Sequence, residues 1–550
     1  MKKSVFYEVE NVETVNDIID LAGKKYADLN AIKYIQNDII CEKTYSQLYQ
    51  DIKSISTILI KKGYIKKNIA LLGKNSYLLI SSFLGTIYSG NIAIPLDREL
   101  PLEKMKERIE FSDIACVLYD KEYSEEINIL KKSFCDDKEY ICFQNTDVLD
   151  DCLEEYLGNP LDVKSLKNTP ESVASIFFTS GTLGKSKGVM LTHQNLGKDA
   201  MCGCMSMKFN QQEINSFLIL PLHHAYAFTC GVLSALLFGH TICINTSLKY
   251  LKKEMLLYKP HITIVVPLIL EAINKSIWNE IRRNGKEKQV KKLIKISNFL
   301  FSIGIDMRRK FFQRILEGLG GNLETIVCGG AYMNSNMVFQ FRELGINLLQ
   351  GYGITECAPV VSSNIDRKVK AESVGMVYPC CCVKIVNNEI YVKGSIVMKG
   401  YYKNIVATQE AFDGEWFKTG DMGYLDKENY LYITGRKKNI IILSNGENII
   451  PEELENAMCS SIPIIKEVVV YGDVQEDALI AEVFLDQDYI LSESINDATQ
   501  YLNEKVKEFN SNLPLYKQIR KVEVREQEFE KTTTKKIIRK SRERKNVKKN

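Results

Sequence analysis

The stretch Phe178–His193, with the sequence FTSGTLGKSKGVMLTH, places hydroxyl residues, glycines and lysines directly after a short apolar run, Val173–Phe178. Glycines let backbone N–H groups turn towards an anion, hydroxyls donate further hydrogen bonds, and lysines supply charge. Such a loop is suited to holding a polyphosphate, although the same residue types also form ordinary solvated turns between a strand and a helix. Gly181 and Gly184 stand only three residues apart before Lys185, and this spacing excludes the Walker loop of P-loop NTPases.

Length, composition and charge are those of an ordinary globular protein with more than one domain. The 550 residues exceed the size at which a single core stops growing, and 45% of them are hydrophobic and 26% charged. The formal net charge of +3 gives no reason to expect a nucleic-acid partner. The sequence has no apolar run of the roughly 18 residues that a membrane span needs, and no apolar signal-peptide core at its start. We therefore expect a cytoplasmic protein without a transmembrane segment.

Helices and strands alternate in the first part of the chain. Thr44 and Gln47 have the spacing of a capping box at the start of a helix over residues 48–60. The elements predicted after it are, in order, the strand 68–72, the helix 77–88, the strand 91–95, the helix 102–111 and the strand 114–119. This βαβαβ order predicts a parallel sheet covered by helices. Residues 120–170 are polar and irregular in pattern.

The remaining chain predicts a second α/β stretch, a β-rich stretch and a small domain. The predicted elements are strands at 217–220, 241–244, 262–266 and 325–328, a long basic helical insertion at 273–319, short β segments over 373–433, a helix at 452–458 and a strand at 467–471. The fold class is therefore α/β. We expect a large N-terminal domain of helix-covered sheets with a β-rich subdomain, residues 1–434, and a small mobile α+β domain, residues 435–550.

Six further segments carry chemistry-bearing residues. They are LPLHHAYAF (220–228), GGAYM (329–333), GYGITE (351–356), WFKTGDMGYLD (416–426), ITGRKKNIIILSNGENIIPEELE (433–455) and KTTTKKIIRK (531–540). In this order and at these separations they resemble the acyl-adenylate-forming superfamily of AMP-binding enzymes. The resemblance covers essentially the whole chain, and it is strongest to medium- and long-chain fatty acyl-CoA synthetases.

The resemblance implies an acid–thiol ligase that uses ATP and Mg²⁺. A small-molecule carboxylic acid, expected to be a fatty acid, would react with ATP to give acyl-AMP and pyrophosphate, and a thiol, expected to be CoA, would then displace AMP. The small domain would swing about a hinge near Lys438 between the two half-reactions. An acyl-acyl-carrier-protein ligase, an aryl-CoA ligase and a non-catalytic adenylate-binding relative are the alternatives.

The resemblance also implies a role for each matching position. The positions implied to bind the nucleotide or the thiol are Thr179, Ser180, Gly181, Thr182, Gly184, Lys187, Gly330, Ala331, Gly351, Tyr352, Gly353, Asp421, Arg436 and Gly446. Tyr352 would lie against the adenine, and Asp421 would accept the ribose hydroxyls. The positions implied to be catalytic are His224, Thr355, Glu356 and Lys536, of which Glu356 would also hold Mg²⁺.

Two of these positions carry most of the expected chemistry. A cation at Lys536 would stabilise the approach of a carboxylate to the α-phosphate, because both groups are anions. His224 would lie beside the reacting carboxylate, in a segment without the aspartate that amino-acid-activating relatives use, so the expected acid has no amine. The chain departs from the family pattern at Leu183, Ser186 and Lys535, the last of which replaces a glycine.

Basic segments leave two further partners open. The insertion at 273–319 is expected to be a solvated helical region, although its lysines and arginines would also suit an acidic carrier protein. The tail Arg539–Lys549 would allow weak peripheral contact with anionic lipids.

Overall fold

The computed structural model describes residues 5–134, 138–144, 168–179, 186–211, 213–442, 447–473, 478–531, 537 and 539. They divide into two compact units. The first unit contains the described residues up to Lys384 together with Val392–Lys418 and Lys427–Leu431. The second unit contains Ile385–Tyr391, Thr419–Asp426 and the described residues from Tyr432 onwards.

The α-helices are α1 (Val15–Lys25), α2 (Tyr45–Lys61), α3 (Tyr77–Tyr88), α4 (Leu102–Phe111), α5 (Ser124–Ser133), α6 (His193–Cys204), α7 (Ser234–Phe238), α8 (Leu251–Tyr258), α9 (Pro267–Arg283), α10 (Glu287–Ser302), α11 (Arg308–Phe311), α12 (Gln313–Glu317), α13 (Asn336–Glu343), α14 (Ile405–Ala411), α15 (Pro451–Ser461), α16 (Gln487–Ser492) and α17 (Ala498–Asn510). A π-helical segment, Ala227–Leu233, precedes α7. Among these helices of the described chain, none is long and apolar enough to cross a membrane.

The strands before the β-rich stretch are β1 (Asn30–Gln36), β2 (Ile39–Thr44), β3 (Asn68–Leu72), β4 (Ile92–Pro95), β5 (Ile114–Tyr119), β6 (Glu139–Cys142), β7 (Val173–Thr179), β8 (Lys187–Thr192), β9 (Asn215–Leu218), β10 (Thr241–Ile244), β11 (Ile262–Val265), β12 (Thr325–Cys328), β13 (Asn347–Gly353) and β14 (Val360–Ser363). The later strands are β15 (Met376–Val377), β16 (Cys381–Val386), β17 (Glu389–Gly394), β18 (Gly400–Tyr401), β19 (Phe412–Asp413), β20 (Trp416–Leu425), β21 (Leu431–Arg436), β22 (Ile441–Ile442), β23 (Asn448–Ile449), β24 (Ile465–Asp473), β25 (Ala478–Leu485) and β26 (Ile519–Arg525).

The first large sheet contains the predicted βαβαβ unit. Its strand order is β18-β8-β7-β4-β3-β5-β6, in which β7, β4, β3, β5 and β6 run parallel. The predicted bounds of β3, α3, α4 and β5 are confirmed, because each is a buried apolar run or an amphipathic run ended by polar residues. The prediction for residues 120–170 was wrong in part, since α5 and β6 lie there and β6 forms the sheet edge.

The second large sheet has the order β15-β14-β13-β12-β11-β9-β10-β1-β2. Its strands from β13 to β1 run parallel, and they include the four strands predicted between residues 217 and 328. Helices fill the space between the two sheets. Phe83 of α3 stacks on Phe228 of the π-helical segment at 3.9 Å between ring centroids, and Phe177 of β7 packs against both. The predicted parallel, helix-covered architecture is therefore confirmed.

A further sheet has the order β16-β17-β20-β19, with β21 paired to β20, and it matches the predicted β-rich stretch. The three-stranded sheet β24-β25-β26 belongs to the second unit. Apolar residues of α15 and α17 pack on that sheet, among them Leu454, Met458, Leu502 and Val506. The predicted helix at 452–458 and strand at 467–471 correspond to α15 and β24. The second unit is therefore α+β, as expected.

Candidate active site

The carboxyl ends of β9, β12 and β13 bring three predicted motifs, LPLHHAYAF, GGAYM and GYGITE, to one edge of the second large sheet. The registers of β9, β11, β12 and β13 place Cys328 beside Gln350, and the Gly329 amide donates to the Val265 carbonyl over 3.3 Å. The GGAYM segment therefore follows β12 directly beside the GYGITE segment that ends β13. Ligands of open α/β sheets bind at this edge, outside the carboxyl ends of the strands.

Glycine is required at two positions of this edge. Gly330 has φ +85°, a left-handed conformation that side chains with a Cβ rarely adopt. A Cβ on Gly353 would lie 1.9 Å from the Pro359 carbonyl oxygen. Ala331 follows Gly330 and is exposed, so the backbone there is open to a ligand. Tyr352 and Thr355, in the neighbouring GYGITE segment, are half-buried.

The opening motif lies between two antiparallel strands of the first large sheet. Thr179 ends β7 and pairs with Lys187, the first residue of β8, and Ser186 Oγ donates to the Thr179 carbonyl over 2.7 Å. The strands β7 and β8 therefore form an antiparallel hairpin, and β7 does not lead directly into a helix, which agrees with the exclusion of a Walker loop. The predicted positions within it, Ser180, Gly181, Thr182 and Gly184, lie outside the described residues.

Tyr401 connects the end of this hairpin to the GYGITE segment. The short strand β18 pairs with β8, and the Tyr401 hydroxyl donates to Glu356 Oε1 over 2.9 Å. Lys187 Nζ lies 4.5 Å from the centroid of the Tyr401 ring. Burial, followed by the charge of Glu356, raises the pKa of Tyr401 above its usual value, so the phenol stays a neutral donor. Tyr401 could not be singled out from the sequence, because nothing in KGYYK (399–403) indicates that it contacts a distant carboxylate.

Glu356 fits the role of a magnesium ligand. One of its oxygens is fixed by Tyr401, and no described residue donates a side-chain hydrogen bond to the other. In the described part of the chain no three His, Cys, Asp or Glu residues cluster as a metal site. Mg²⁺ is usually bound through one or two carboxylates together with water and substrate phosphates, so a single fixed glutamate suits it. Such an ion would neutralise phosphate charge.

The His223–His224 pair lies beside residues that follow strands of the first large sheet. Asn75 holds its segment from both sides, donating to the Leu220 carbonyl over 2.8 Å and accepting from the Leu222 amide over 3.1 Å. The two imidazole rings are 4.2 Å apart, and His223 Nε2 lies 3.6 Å from Asp97 Oδ1. Burial lowers the pKa of His223 to about 4, helped by Arg98 and Arg108, so its ring is neutral near pH 7.

Asp97 adds a carboxylate next to the LPLHHAYAF segment, which was expected to have no acid in it. The LPLHHAYAF segment contains no acid, but β4 ends just before Asp97 and brings a carboxylate to it. Residue order within the segment could not reveal this neighbour. His224, the predicted catalytic histidine, lies half-buried between His223 and the π-helical segment.

In the second unit, Asp421 and Arg436 form an ion pair. Arg436 Nε lies 2.8 Å from Asp421 Oδ1, and Asp421 is only 3% exposed. Glu389 accepts from the Lys437 ammonium over 2.7 Å and from the Gly420 amide over 3.2 Å. The carboxylate expected at the ribose is therefore fixed by a cation that the sequence also singled out. Gly446 lies outside the described residues.

The C-terminal motif is held at both ends. Lys531 pairs with Glu467 and, over 2.8 Å, with Glu528. Arg539 pairs with Glu455, and an isolated antiparallel bridge joins Lys531 to Ile537. Lys536, predicted to be catalytic, lies outside the described residues.

Glu455 makes the stability of this unit depend on pH. Burial raises its pKa from 4.5 to about 7, and Arg539 opposes the shift. The folded state therefore keeps a proton between about pH 4.5 and pH 7 that the unfolded chain releases, so stability is highest below this window and falls as pH rises through it. The loss is at most about 3 kcal/mol.

We expect Glu455→Gln to remove this pH dependence, because the amide cannot titrate. Hydrogen–deuterium exchange of peptides from β24 in the full chain, corrected for the pH dependence of intrinsic exchange, measures the opening free energy. Glu453→Gln, on the same helix but partly exposed and paired with Lys517 at 3.3 Å, is the matched control and should keep the wild-type slope. An unchanged slope in Glu455→Gln would contradict the assignment.

The chain is similar to known proteins over most of its length. Residues 20–402 match the family model described as AMP-binding enzyme, and residues 438–548 match the model described as AMP-binding enzyme C-terminal domain. A long-chain-fatty-acid–CoA ligase of Mycobacterium bovis is 29% identical over 330 residues, which are 55% of this chain and 52% of that protein. The long-chain-fatty-acid–CoA ligase 5 of Rattus norvegicus is 28% identical over 502 residues, or 82% and 72% of the two chains.

A solved structure shows the same fold. The o-succinylbenzoate coenzyme A synthetase of Bacillus subtilis, in complex with ATP and magnesium ion, matches with a TM-score of 0.70 and 21% identity over 95% of this chain and 98% of that chain. The chain spans about half the length of the Mycobacterium bovis relative. Because the first family model covers more than half of the residues, the chain belongs to the AMP-binding enzyme family.

Proposed function

We propose that this protein activates a carboxylic acid, in the first place a fatty acid, with ATP to give acyl-AMP and pyrophosphate, and then transfers the acyl group to CoA. The observation that carries the proposal is the contact of Lys187, Tyr401 and Glu356 within the first unit. It joins the end of a glycine-rich anion loop to a fixed carboxylate at the carboxyl edge of a parallel sheet. Curated relatives that are long-chain-fatty-acid–CoA ligases support the choice of acid and thiol.

In this proposal each residue contacts one part of the substrates. Lys187 and the hairpin loop bind its terminal phosphates, and Glu356 holds Mg²⁺ against them. Thr355 donates to phosphate, and Tyr352 lies on the adenine face, with Gly351, Gly353, Gly330 and Ala331 leaving room for the nucleotide. His224 lies beside the carboxylate of the acid. Asp421 and Arg436 bind the ribose, and Gly446 belongs to the thiol channel.

The test of the proposal is acid-dependent release of pyrophosphate from ATP. The full chain is assayed with acids of graded chain length and with aromatic acids, each with CoA, with holo acyl carrier protein or without a thiol. Release with fatty acids that CoA accelerates supports the proposal. Release accelerated by the carrier protein alone would identify an acyl-acyl-carrier-protein ligase, and release only with aromatic acids would identify an aryl-CoA ligase. Absence of release with every acid would leave a non-catalytic nucleotide-binding protein.

The proposal includes a domain boundary near residue 435 and a hinge at Lys438. Lys438 lies in the 3-10 turn Lys437–Asn439, directly after β21. Its ammonium pKa is lowered by partial burial and then by Arg436. A short turn of this kind can absorb a change of backbone dihedral angles between two poses of the small domain.

We expect Lys438→Pro to spare acyl-AMP formation and to slow thioester formation by about a hundredfold, because a fixed φ opposes the rotation that re-forms the site. Single-turnover assays of the two half-reactions, the second started from supplied acyl-AMP, measure the effects separately. Lys438→Ala removes the charge but leaves the backbone free, so it should keep both rates. A normal second half-reaction in the proline variant would place the hinge elsewhere.

A further inference from the structure

We propose that the outward face of α10 and the turn that follows it dock on the surface of an anionic lipid bilayer. This surface, called the α10 face, consists of Lys288, Lys292, Lys295, Ile296 and Phe299 of the helix and of Ile303 directly after it. The sequence alone presented residues 273–319 as a solvated basic insertion. The structure shows that apolar side chains share the solvent side of this helix with the lysines, and the inference does not depend on the catalytic function proposed above.

The helix has one packed face and one outward face. Val290 and Ser297 are buried, and Leu293 and Ile294 pack against the core of the first unit. Residues three, four and seven positions apart share one side of a helix. Lys288, Lys292, Lys295 and Phe299 therefore lie together on the side opposite the packed face. Its first two turns present charge, and its last turn and the residues after it present apolar groups.

The apolar groups are unusually exposed. Phe299 is 65% exposed and Ile303 57%, and Ile296, Phe301 and Ile305 are also exposed. Five large apolar side chains thus reach solvent within ten residues, where scattered single ones would be ordinary. Phe301 lies under the Arg308 guanidinium, 3.9 Å from it, and remains exposed. Side chains this exposed protrude, and they suit insertion into a soft surface.

The charges on this face have no partner in the described chain. Lys291 pairs with Glu287 over 2.7 Å and Arg308 with Asp306 over 2.7 Å, whereas Lys288, Lys292 and Lys295 form no ion pair with any described residue. The carboxylates of Glu287 and Asp306 are thus already paired, and that of Glu343 accepts a hydrogen bond from the Asn298 amide over 2.9 Å. A surface that carries three unpaired ammonium groups next to exposed apolar side chains is complementary to anionic headgroups above an acyl layer. Nucleic acid would satisfy the lysines only and leave Phe299 and Ile303 in water.

The experiment measures binding of the full chain to vesicles by sedimentation. One set of vesicles contains phosphatidylcholine alone, and in the other a third of the lipid is phosphatidylglycerol. We expect binding to the second set that weakens with added salt. The triple variant Lys288→Glu, Lys292→Glu, Lys295→Glu should bind about a hundredfold more weakly, because each lysine near an anionic membrane contributes a several-fold factor. The double variant Phe299→Ser, Ile303→Ser should lose about tenfold.

A charge-matched control uses another run of exposed lysines in the same unit. The control is the triple variant Lys61→Glu, Lys66→Glu, Lys67→Glu, at the last residue of α2 and in the segment after it. It changes the net charge by the same amount and should leave vesicle binding at the wild-type level. Failure of the wild-type protein to bind the anionic vesicles would overturn the proposal and favour an acidic protein partner. Equal losses in the control triple variant, or no loss in the serine variant, would overturn it as well. Pyrophosphate release with a water-soluble acid should be the same in all variants, which separates this test from that of the catalytic proposal.

Discussion

Replacing Lys536 by alanine is expected to slow acyl-AMP formation by about two to three orders of magnitude and to leave thioester formation from supplied acyl-AMP nearly unchanged. The reason is electrostatic. Attack of a carboxylate on the α-phosphate joins two anions, and a cation between them stabilises both their approach and the charge of the transition state. The second half-reaction has no such encounter, because a thiol attacks a neutral acyl carbon.

The neighbouring lysine provides the matched control for this prediction. Lys535 stands directly before Lys536, so the identity of the proposed catalytic lysine depends on register. The contacts of Lys531 with Glu467 and of Arg539 with Glu455 hold two residues of the motif that lie before and after the two lysines. Lys535→Ala should therefore keep both rates, whereas Lys536→Arg should recover part of the first. The measurement is the single-turnover rate of each half-reaction in each variant. If Lys536→Ala lowered the rates of acyl-AMP formation and of thioester formation equally, the proposed role of Lys536 would be contradicted.

Much of the fold was predictable because its signals are local. Thr44 and Gln47 form the predicted capping box, with the Gln47 amide donating to Thr44 Oγ1 over 3.2 Å and the Thr44 amide to Gln47 Oε1 over 2.9 Å. The strand β3 is an uninterrupted buried run, as parallel strands covered on both faces usually are. The short strand β6 was missed, because its four residues include Glu139 and stand among polar neighbours.

The candidate site was predictable only as a set of motifs. GGAYM follows the end of β12 and GYGITE stands at the end of β13, where glycine and hydroxyl residues leave a clear trace in the sequence. The residues that fix those motifs come from distant parts of the chain: Tyr401 reaches Glu356 from β18, and Asp97 reaches His223 from the end of β4. Such contacts depend on the order of strands in a sheet, and neither periodicity nor spacing encodes that order.

The outward face of α10 could not be predicted from the sequence either. Their spacing with lysines is compatible with a helix packed through any of several faces. Only the burial of Val290 and Ser297 determines which side is packed and which side faces solvent. A basic insertion that composition presents as a solvated helix therefore acquires a specific outward surface once its packing is known.

Glu356→Gln is expected to lower the rate of pyrophosphate release by about a hundredfold to a thousandfold and to raise the Mg²⁺ concentration needed for half-maximal rate. Glutamine keeps the shape of the side chain and can still accept from the Tyr401 hydroxyl, which lies 2.9 Å from Oε1 in the wild-type protein. It removes the negative charge, and Mg²⁺ prefers charged oxygen ligands. The measurement is the initial rate of pyrophosphate release as a function of Mg²⁺ at fixed ATP.

Tyr401→Phe separates the charge of Glu356 from its orientation. Loss of the phenol removes one hydrogen bond to the carboxylate but leaves its charge, so we expect a decrease of only about fivefold and a nearly normal Mg²⁺ requirement. The ring remains, so the contact with Lys187 at 4.5 Å from the ring centroid is kept. If Glu356→Gln and Tyr401→Phe lowered the rate equally with no change in Mg²⁺ requirement, Glu356 would act through its hydrogen bond to Tyr401. The metal would then be held by other groups.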